Sequence, residues 1–326
     1  MIDFRYHLVS LVGVFLALTV GIVLGSTMLQ DPLLDRLNAD AAQMRDEAEE
    51  LRAEKDAADR RYAGVTALVA AWSGDMVADQ LDDERVVIVE APGVDATTRD
   101  QLADQVTAAG ATMTGRVSFT ERYLDPAEAP HVRDLTDDLV SEPELDSPEL
   151  PSGGAYERAA VLLASVLLTA PEDADERSAR ETVLDGFHDG GLLGYGGQPA
   201  RGADLALFLG PEGMGTPADS TNPDDPDAGY APILALAEAA DATGDGTVIA
   251  GAPESAQESG LVAHARAAGD AITTVDIAGD PAGDIVTVYA LAGAAHGNVG
   301  HYGIGPGSDD YLPDPVPPAP DEEDDE

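Results

Sequence analysis

The sequence predicts an α/β protein in which an N-terminal transmembrane helix and a long coiled-coil helix lead into a mostly parallel, doubly wound sheet of the Rossmann or flavodoxin-like kind. Three observations carry that expectation. Residues Leu8 to Leu29 carry no charge over 22 positions. Apolar residues from Leu34 to Trp72 recur at alternating spacings of three and four. Beyond Arg85, short β-branched runs alternate with amphipathic stretches, the pattern of a parallel sheet covered by helices.

The uncharged run LVSLVGVFLALTVGIVLGSTML, at about 1.5 Å per residue, is long enough to cross a hydrocarbon core of about 30 Å. A cleavable signal peptide is the competing reading, because small residues lie at Gly25 and Ser26. The h-region of such a peptide is shorter than this run, so residues 1–30 are read as a retained single-pass anchor. Arg5 precedes the span while Asp31 and Asp35 follow it, which places the N-terminus in the cytoplasm and the bulk of the chain outside it, although Arg36 lies on the far side. Gly13, Ala17, Gly21 and Gly25 recur every four residues. Such a stripe lets a second helix approach closely; small residues are also simply common in membrane helices, and both readings stand.

Asp31-Pro32 has the form of a cap and a first-turn proline, so a new helix or a kinked continuation is expected there. Leu34, Leu37, Ala41, Met44, Ala48, Leu51, Lys55, Ala58, Tyr62, Val65, Val69 and Trp72 then occupy the a and d positions of a heptad pattern, which assigns 31–74 to a stalk that pairs with a second copy. In a parallel dimer Asp40 faces Arg45 and Glu47 faces Arg52, whereas Glu54 opposes Asp59; two of these three pairings attract. The alternative is an amphipathic helix packed on its own globular domain. Fully extended from the membrane, the stalk would span roughly 55–60 Å.

The globular part, 84–305, opens with VVIVEAPGVD and the helix-like TTRDQLADQVTAAG. Further strands are expected at 112–118, 205–209, 247–250 and 272–276, with helices near 155–169, 177–188, 230–241 and 256–268. A last helix is expected at 281–295, with Asp280 as cap and Pro281 in its first turn, despite four β-branched residues. Five prolines and many acids between Leu124 and Gly154 read as an acidic surface insertion at 124–154, and 211–229 as a second loop. The tail 306–326, acidic and proline-rich, is expected to be disordered.

The chain has 17 Lys and Arg against 62 Asp and Glu, a formal charge of −45, which argues against nucleic acid and anionic head groups as partners. It contains no cysteine, so thiolate metal sites and Cys nucleophiles are excluded, and with them an amidotransferase-type enzyme built on a cysteine. No GxGxxG, GxxxxGK[ST] or GxSxG occurs, so nucleotide binding and serine-hydrolase chemistry are unsupported and no enzyme is expected. The glycine cluster 190–197 reads as a turn between a helix and a strand. Of six histidines only His296 and His301 lie close together; they are the candidate metal pair, since imidazole suits copper and zinc. The segment Asp241–Gly246, DATGDG, matches part of a calcium loop but lacks its full acidic spacing, and a turn is preferred.

The order of these features is itself distinctive. The opening MIDFRYHLVSLVGVFLALTVGIVLGS, the coiled coil, VVIVEAPG, and the closing GNVGHYGIG followed by Tyr311-Leu312-Pro313 resemble the actinobacterial MctB family over nearly the whole chain. The resemblance implies copper transport or copper homeostasis in the cell envelope, sometimes in an outer membrane. It also implies an alternative, cell separation, in which a relative called SteB acts with SteA. Copper as a bound metal and a SteA-like membrane partner are therefore expectations from resemblance, and no ligand residue follows from it.

Overall fold

A computed structural model describes residues 4–211, 229–257 and 259–314, and the side chains of Arg5 and of 26–38 lie outside that description. The chain divides into two compact units, Met1–Val65 and Thr66–Glu326.

The described residues of the first unit belong to helix α1, which is assigned without a break from Phe4 to Val77. At Asp31-Pro32 the helix continues rather than starting afresh. Tyr6–Gly25 has a mean hydropathy of 2.6 over 20 residues and is, among the described residues, the one stretch of helix long and apolar enough to cross a membrane. Its apolar side chains, from Leu8 to Leu24, are exposed in the isolated chain. Thr19 donates its hydroxyl to the Phe15 carbonyl at 2.8 Å, which satisfies the polar group inside the helix as a lipid environment requires. Farther along, Met44, Leu51, Tyr62 and Val65 leave an exposed apolar seam. Lys55 pairs with Asp59 one turn later at 2.5 Å, so the carboxylate expected to repel Glu54 across a dimer is neutralised on its own helix.

In the second unit the last turns of α1 join the fold. Val77 is fully buried, Gln105 donates to the Ser73 carbonyl at 3.0 Å, and Tyr289 donates to the Met76 carbonyl at 2.7 Å. The strands are β1 (Arg85–Glu90), β2 (Thr112–Phe119), β3 (Leu193–Gly197), β4 (Leu205–Leu209), β5 (Gly246–Ala250), β6 (Thr273–Val275) and β7 (His301–Tyr302). They form one sheet of order β3-β2-β1-β4-β5-β6-β7. All neighbours are parallel except the β2–β3 pair. The helices are α2 (Ala96–Ala108), α3 (Ala129–Leu139), α4 (Ala155–Leu168), α5 (Ala174–Asp189), α6 (Ala231–Thr243), α7 (Leu261–Ala268) and α8 (Pro281–Ala295).

Two apolar cores lie on opposite faces, and β1 divides its side chains between them. Val87 and Val89 join the core containing α4 and α6 residues, while Val86 and Ile88 join the one containing α2 and α8 residues. That two-residue alternation is the pleat of the strand, and LALFL in β4, buried at every position, is the continuous apolar run of a strand covered on both sides. Helix α8 forms as expected: Asp280 accepts from the N–H groups of Ala282 and Gly283 at 2.9 and 3.0 Å. Burial of Ile285, Val286 and Val288 outweighs their weak helix preference.

Two local expectations are corrected. The acidic insertion contains a helix, α3, with Val132 and Thr136 buried and Leu135 and Leu139 packed on the core. Those four positions have the i, i+3, i+4, i+7 spacing of an amphipathic helix, which the surrounding prolines and acids obscure. The glycine cluster is in part a strand: Leu193–Gly197 pairs antiparallel with Phe119–Gly115, and absent side chains permit close approach, since a Cβ on Gly115 would lie 2.6 Å from the Gly196 carbonyl oxygen. Most of the expected loop at 211–229 lies outside the described residues, as does 315–326 of the tail. The tail's first part is tied down: Asp309 N–H donates to the His301 carbonyl at 2.7 Å and Gly303 N–H to the Asp310 carbonyl at 2.9 Å.

Candidate functional site

The carboxyl ends of β1 and β4 meet where the strand order reverses, the usual place for a ligand in an open α/β sheet. The loop Ala91–Asp95 leaves β1 there, and Asp95 caps α2 by accepting from Thr97 and Thr98 N–H at 2.8 and 3.2 Å. Glu90, the last residue of β1, is buried, with its Oε1 unpartnered and its Oε2 3.7 Å from Arg99. Burial pushes this carboxyl above its ordinary pKa, opposed by Arg99 and Arg116. Among the described residues neither a nucleophile motif nor a phosphate-cradling loop accompanies it.

The closing segment is built around a buried ion pair. Asp276, at the end of β6, is 0 % exposed and accepts from Arg266 at 2.7 Å, Ile304 N–H at 2.8 Å and Gly305 N–H at 2.9 Å. Arg266, from α7, also donates to the Thr274 hydroxyl at 3.0 Å, the Pro306 carbonyl at 2.9 Å and the Tyr302 carbonyl at 3.2 Å. A planar guanidinium can serve several acceptors at fixed angles, so one side chain fastens β6, β7 and the segment after it. Gly303 has φ +133°, and a Cβ there would fall 2.0 Å from the Asp276 Oδ1. The glycines of GHYGIG thus admit the carboxylate to the backbone.

The two candidate metal ligands are held separately. His296 caps the end of α8, its Nδ1 2.8 Å from the Ala292 carbonyl, which leaves Nε2 as the available nitrogen. His301 is buried on β7 with Nδ1 3.0 Å from the Thr274 hydroxyl; its Nε2 lacks a hydrogen-bond partner and lies 3.5 Å from exposed Asp270. Among the described residues no three His, Asp or Glu side chains gather as a metal-binding group. Sequence reasoning missed Arg266 and Asp276, because a lone Arg and a lone Asp form no motif and only the folded chain joins them.

Comparison with known proteins matches residues 1–313 to the family described as "Copper transport outer membrane protein, MctB". The chain is 29% identical over 317 residues to the copper transporter MctB of Mycobacterium tuberculosis, covering 94% of this chain and 98% of that protein. It is 30% identical over 320 residues to the copper transporter MctB of Mycobacterium leprae, with the same coverage of 94% and 98%.

Proposed function

The chain belongs to the MctB family of copper transport proteins, and from that premise we propose that it serves copper transport as a membrane-anchored, self-associating, non-enzymatic module of the cell envelope. The observation that carries this reading is the exposed apolar seam of Met44, Leu51, Tyr62 and Val65 on the same helix as a lipid-length apolar span. Exposed apolar surface on a helix calls for a covering, and a twin helix in heptad register supplies one. In the span, Gly13, Gly21 and Gly25 have open space where a Cβ would stand, which suits close approach of a second copy. The N-terminus lies in the cytoplasm and the bulk of the chain outside. Central β1 and β4, flanked by β2 on one side and β5 and β6 on the other, support reading the sheet as doubly wound and Rossmann-like.

The absence of native cysteine makes the dimer directly testable. Single substitutions Met44→Cys and Leu51→Cys are expected to give disulfide-linked dimers in oxidised membranes, and Ala53→Cys, on the opposite side of the heptad, very little. Equal crosslinking at all three positions, or none at any, would refute the stalk pairing.

The one apolar helix of membrane-crossing length among the described residues is not a conduction path, so the path for copper comes from oligomers or a partner. Direct contact with copper is assigned to His296 and His301, whose Nδ1 atoms are hydrogen-bonded; the Nε2 of His301 is buried beside Asp270, so copper there requires the closing segment to open. A second reading, a scaffold acting with a SteA-like partner in cell separation without direct copper transport, is favoured by the separate anchoring of the two imidazoles. Copper titration of the purified protein divides the two: stoichiometric binding abolished by His296→Ala with His301→Ala supports direct contact, and lack of stoichiometric binding supports the scaffold.

A further inference from the structure

The amino-terminal edge of the sheet carries a polar cleft of about 260 Å³ that copper transport as proposed above does not use, bordered by Asp241, Asp245, Thr247, Thr273 and Asn298. Its position follows from the winding of the chain. In a parallel α/β sheet each helix runs back against the strands, so helix carboxyl ends collect at the edge where strands begin. Here α6 ends at Thr243 and α8 at Ala295, and residues from both helix ends, Asp241 and Ala294, border the cleft. Each helix end presents the negative pole of a macrodipole, which favours cations.

Two carboxylates add to that field. Asp241 lies in the last turn of α6, and Asp245 in the short turn to β5, held by its N–H to the Asp204 carbonyl at 2.8 Å. Among the described residues that border the cleft there is no Lys or Arg. Burial pushes the Asp241 carboxyl above its ordinary pKa. Glu84 nearby is raised first by burial and then by Asp204 and Asp245, with His296 and Arg85 opposing. The independent sign of a ligand is Thr247: it is 1 % exposed, it borders the cleft, and its hydroxyl oxygen has no hydrogen-bond partner. Leaving a buried hydroxyl unmatched costs free energy that a bound group can recover.

We propose that this cleft is a binding site for a hard divalent cation, calcium in the first place, held by the carboxylates of Asp241 and Asp245 and the hydroxyl of Thr247, with neutral oxygens of Thr273 and Asn298 and water completing the shell. The bordering side chains offer oxygen and no sulfur or imidazole, which selects calcium or magnesium over copper or zinc. A cleft of this size with flexible oxygen donors tolerates the larger, less demanding shell of calcium better than the tight octahedron of magnesium. With only two carboxylates the affinity falls at the weak end, Kd about 10⁻⁴ to 10⁻³ M. DATGDG is thus a partial calcium loop completed by residues distant in sequence.

The test is calcium titration of the full-length purified protein in detergent, followed by calorimetry and by melting temperature. One saturable calcium per chain is expected, with a rise in Tm. Asp241→Asn with Asp245→Asn should weaken binding at least tenfold, Thr247→Val several-fold and Thr247→Ser little, while Asp104→Asn, on exposed α2, should leave it unchanged. No saturable calcium binding, equal Tm shifts from magnesium and calcium at matched ionic strength, or retained affinity in Thr247→Val would each overturn the proposal. Thr247→Val is isosteric and decides the matter even if the double variant fails to fold. The copper titration reads different residues, so either result can fail alone.

Discussion

Arg266→Ala is expected to destabilise the folded domain by about 3–5 kcal/mol, the cost of breaking a buried ion pair from one side. The carboxylate of Asp276, 0 % exposed, would keep its two N–H donors from Ile304 and Gly305 but lose its cationic partner. The Thr274 hydroxyl and the carbonyls of Tyr302 and Pro306 would lose a donor together. The loss therefore concentrates on the closing segment, and amide exchange at 301–310 should accelerate before the rest of the sheet responds. Arg266→Lys should give an intermediate loss, because one ammonium cannot reach four acceptors in the geometry of a guanidinium. The control is Arg122→Ala. Arg122 is half exposed, pairs with Glu128 at 2.8 Å and donates to the Gly190 carbonyl at 2.9 Å, and its loss should cost about 1 kcal/mol. Chemical denaturation of the three variants checks the order; an Arg266→Ala midpoint equal to that of Arg122→Ala would show that the buried pair does not fasten the segment.

That cluster also shows what the sequence could and could not say. The strand at 205–209 was legible because a strand covered on both faces is apolar throughout, and the helix at 281–295 because Asp280-Pro281 leaves few alternatives for the backbone. Helix α3 was hidden although Val132, Leu135, Thr136 and Leu139 carry its period, since acids and prolines around it carry the opposite signal. The antiparallel β3 was hidden for another reason. Glycines that usually mark turns here let backbones approach, which only the partner strand reveals. The histidines drew attention by residue type, whereas Arg266 and Asp276 are ordinary residues brought together by the β6–α7 packing. Thr247 could not be singled out at all, because an unpartnered hydroxyl is a property of the folded surroundings and not of threonine.

Asp284→Asn is expected to stabilise the domain at neutral pH and to flatten its response to acid. Asp284 stands in the first turn of α8, 6 % exposed, accepting from Gly279 N–H at 3.0 Å. Burial pushes its pKa up to about 6 from 3.8, with neighbouring Asp280 adding to the rise and the Gly279 bond opposing it. The folded state therefore binds this proton more tightly than the unfolded chain does. Stability from the proton is fully present below about pH 3.8 and is lost as pH rises through about 6, a difference on the order of 2–3 kcal/mol across that window. Asparagine keeps an oxygen for the Gly279 N–H and never ionises. At pH 4 the variant and the parent should therefore melt together, and at pH 7.5 the variant should melt higher. Glu90 and Asp241, raised by burial in the same direction, remain in both proteins and cancel from the comparison. A constant difference in Tm from pH 4 to pH 7.5 would mean that the Asp284 carboxylate is solvated in solution and that the α8 cap holds it without an electrostatic cost.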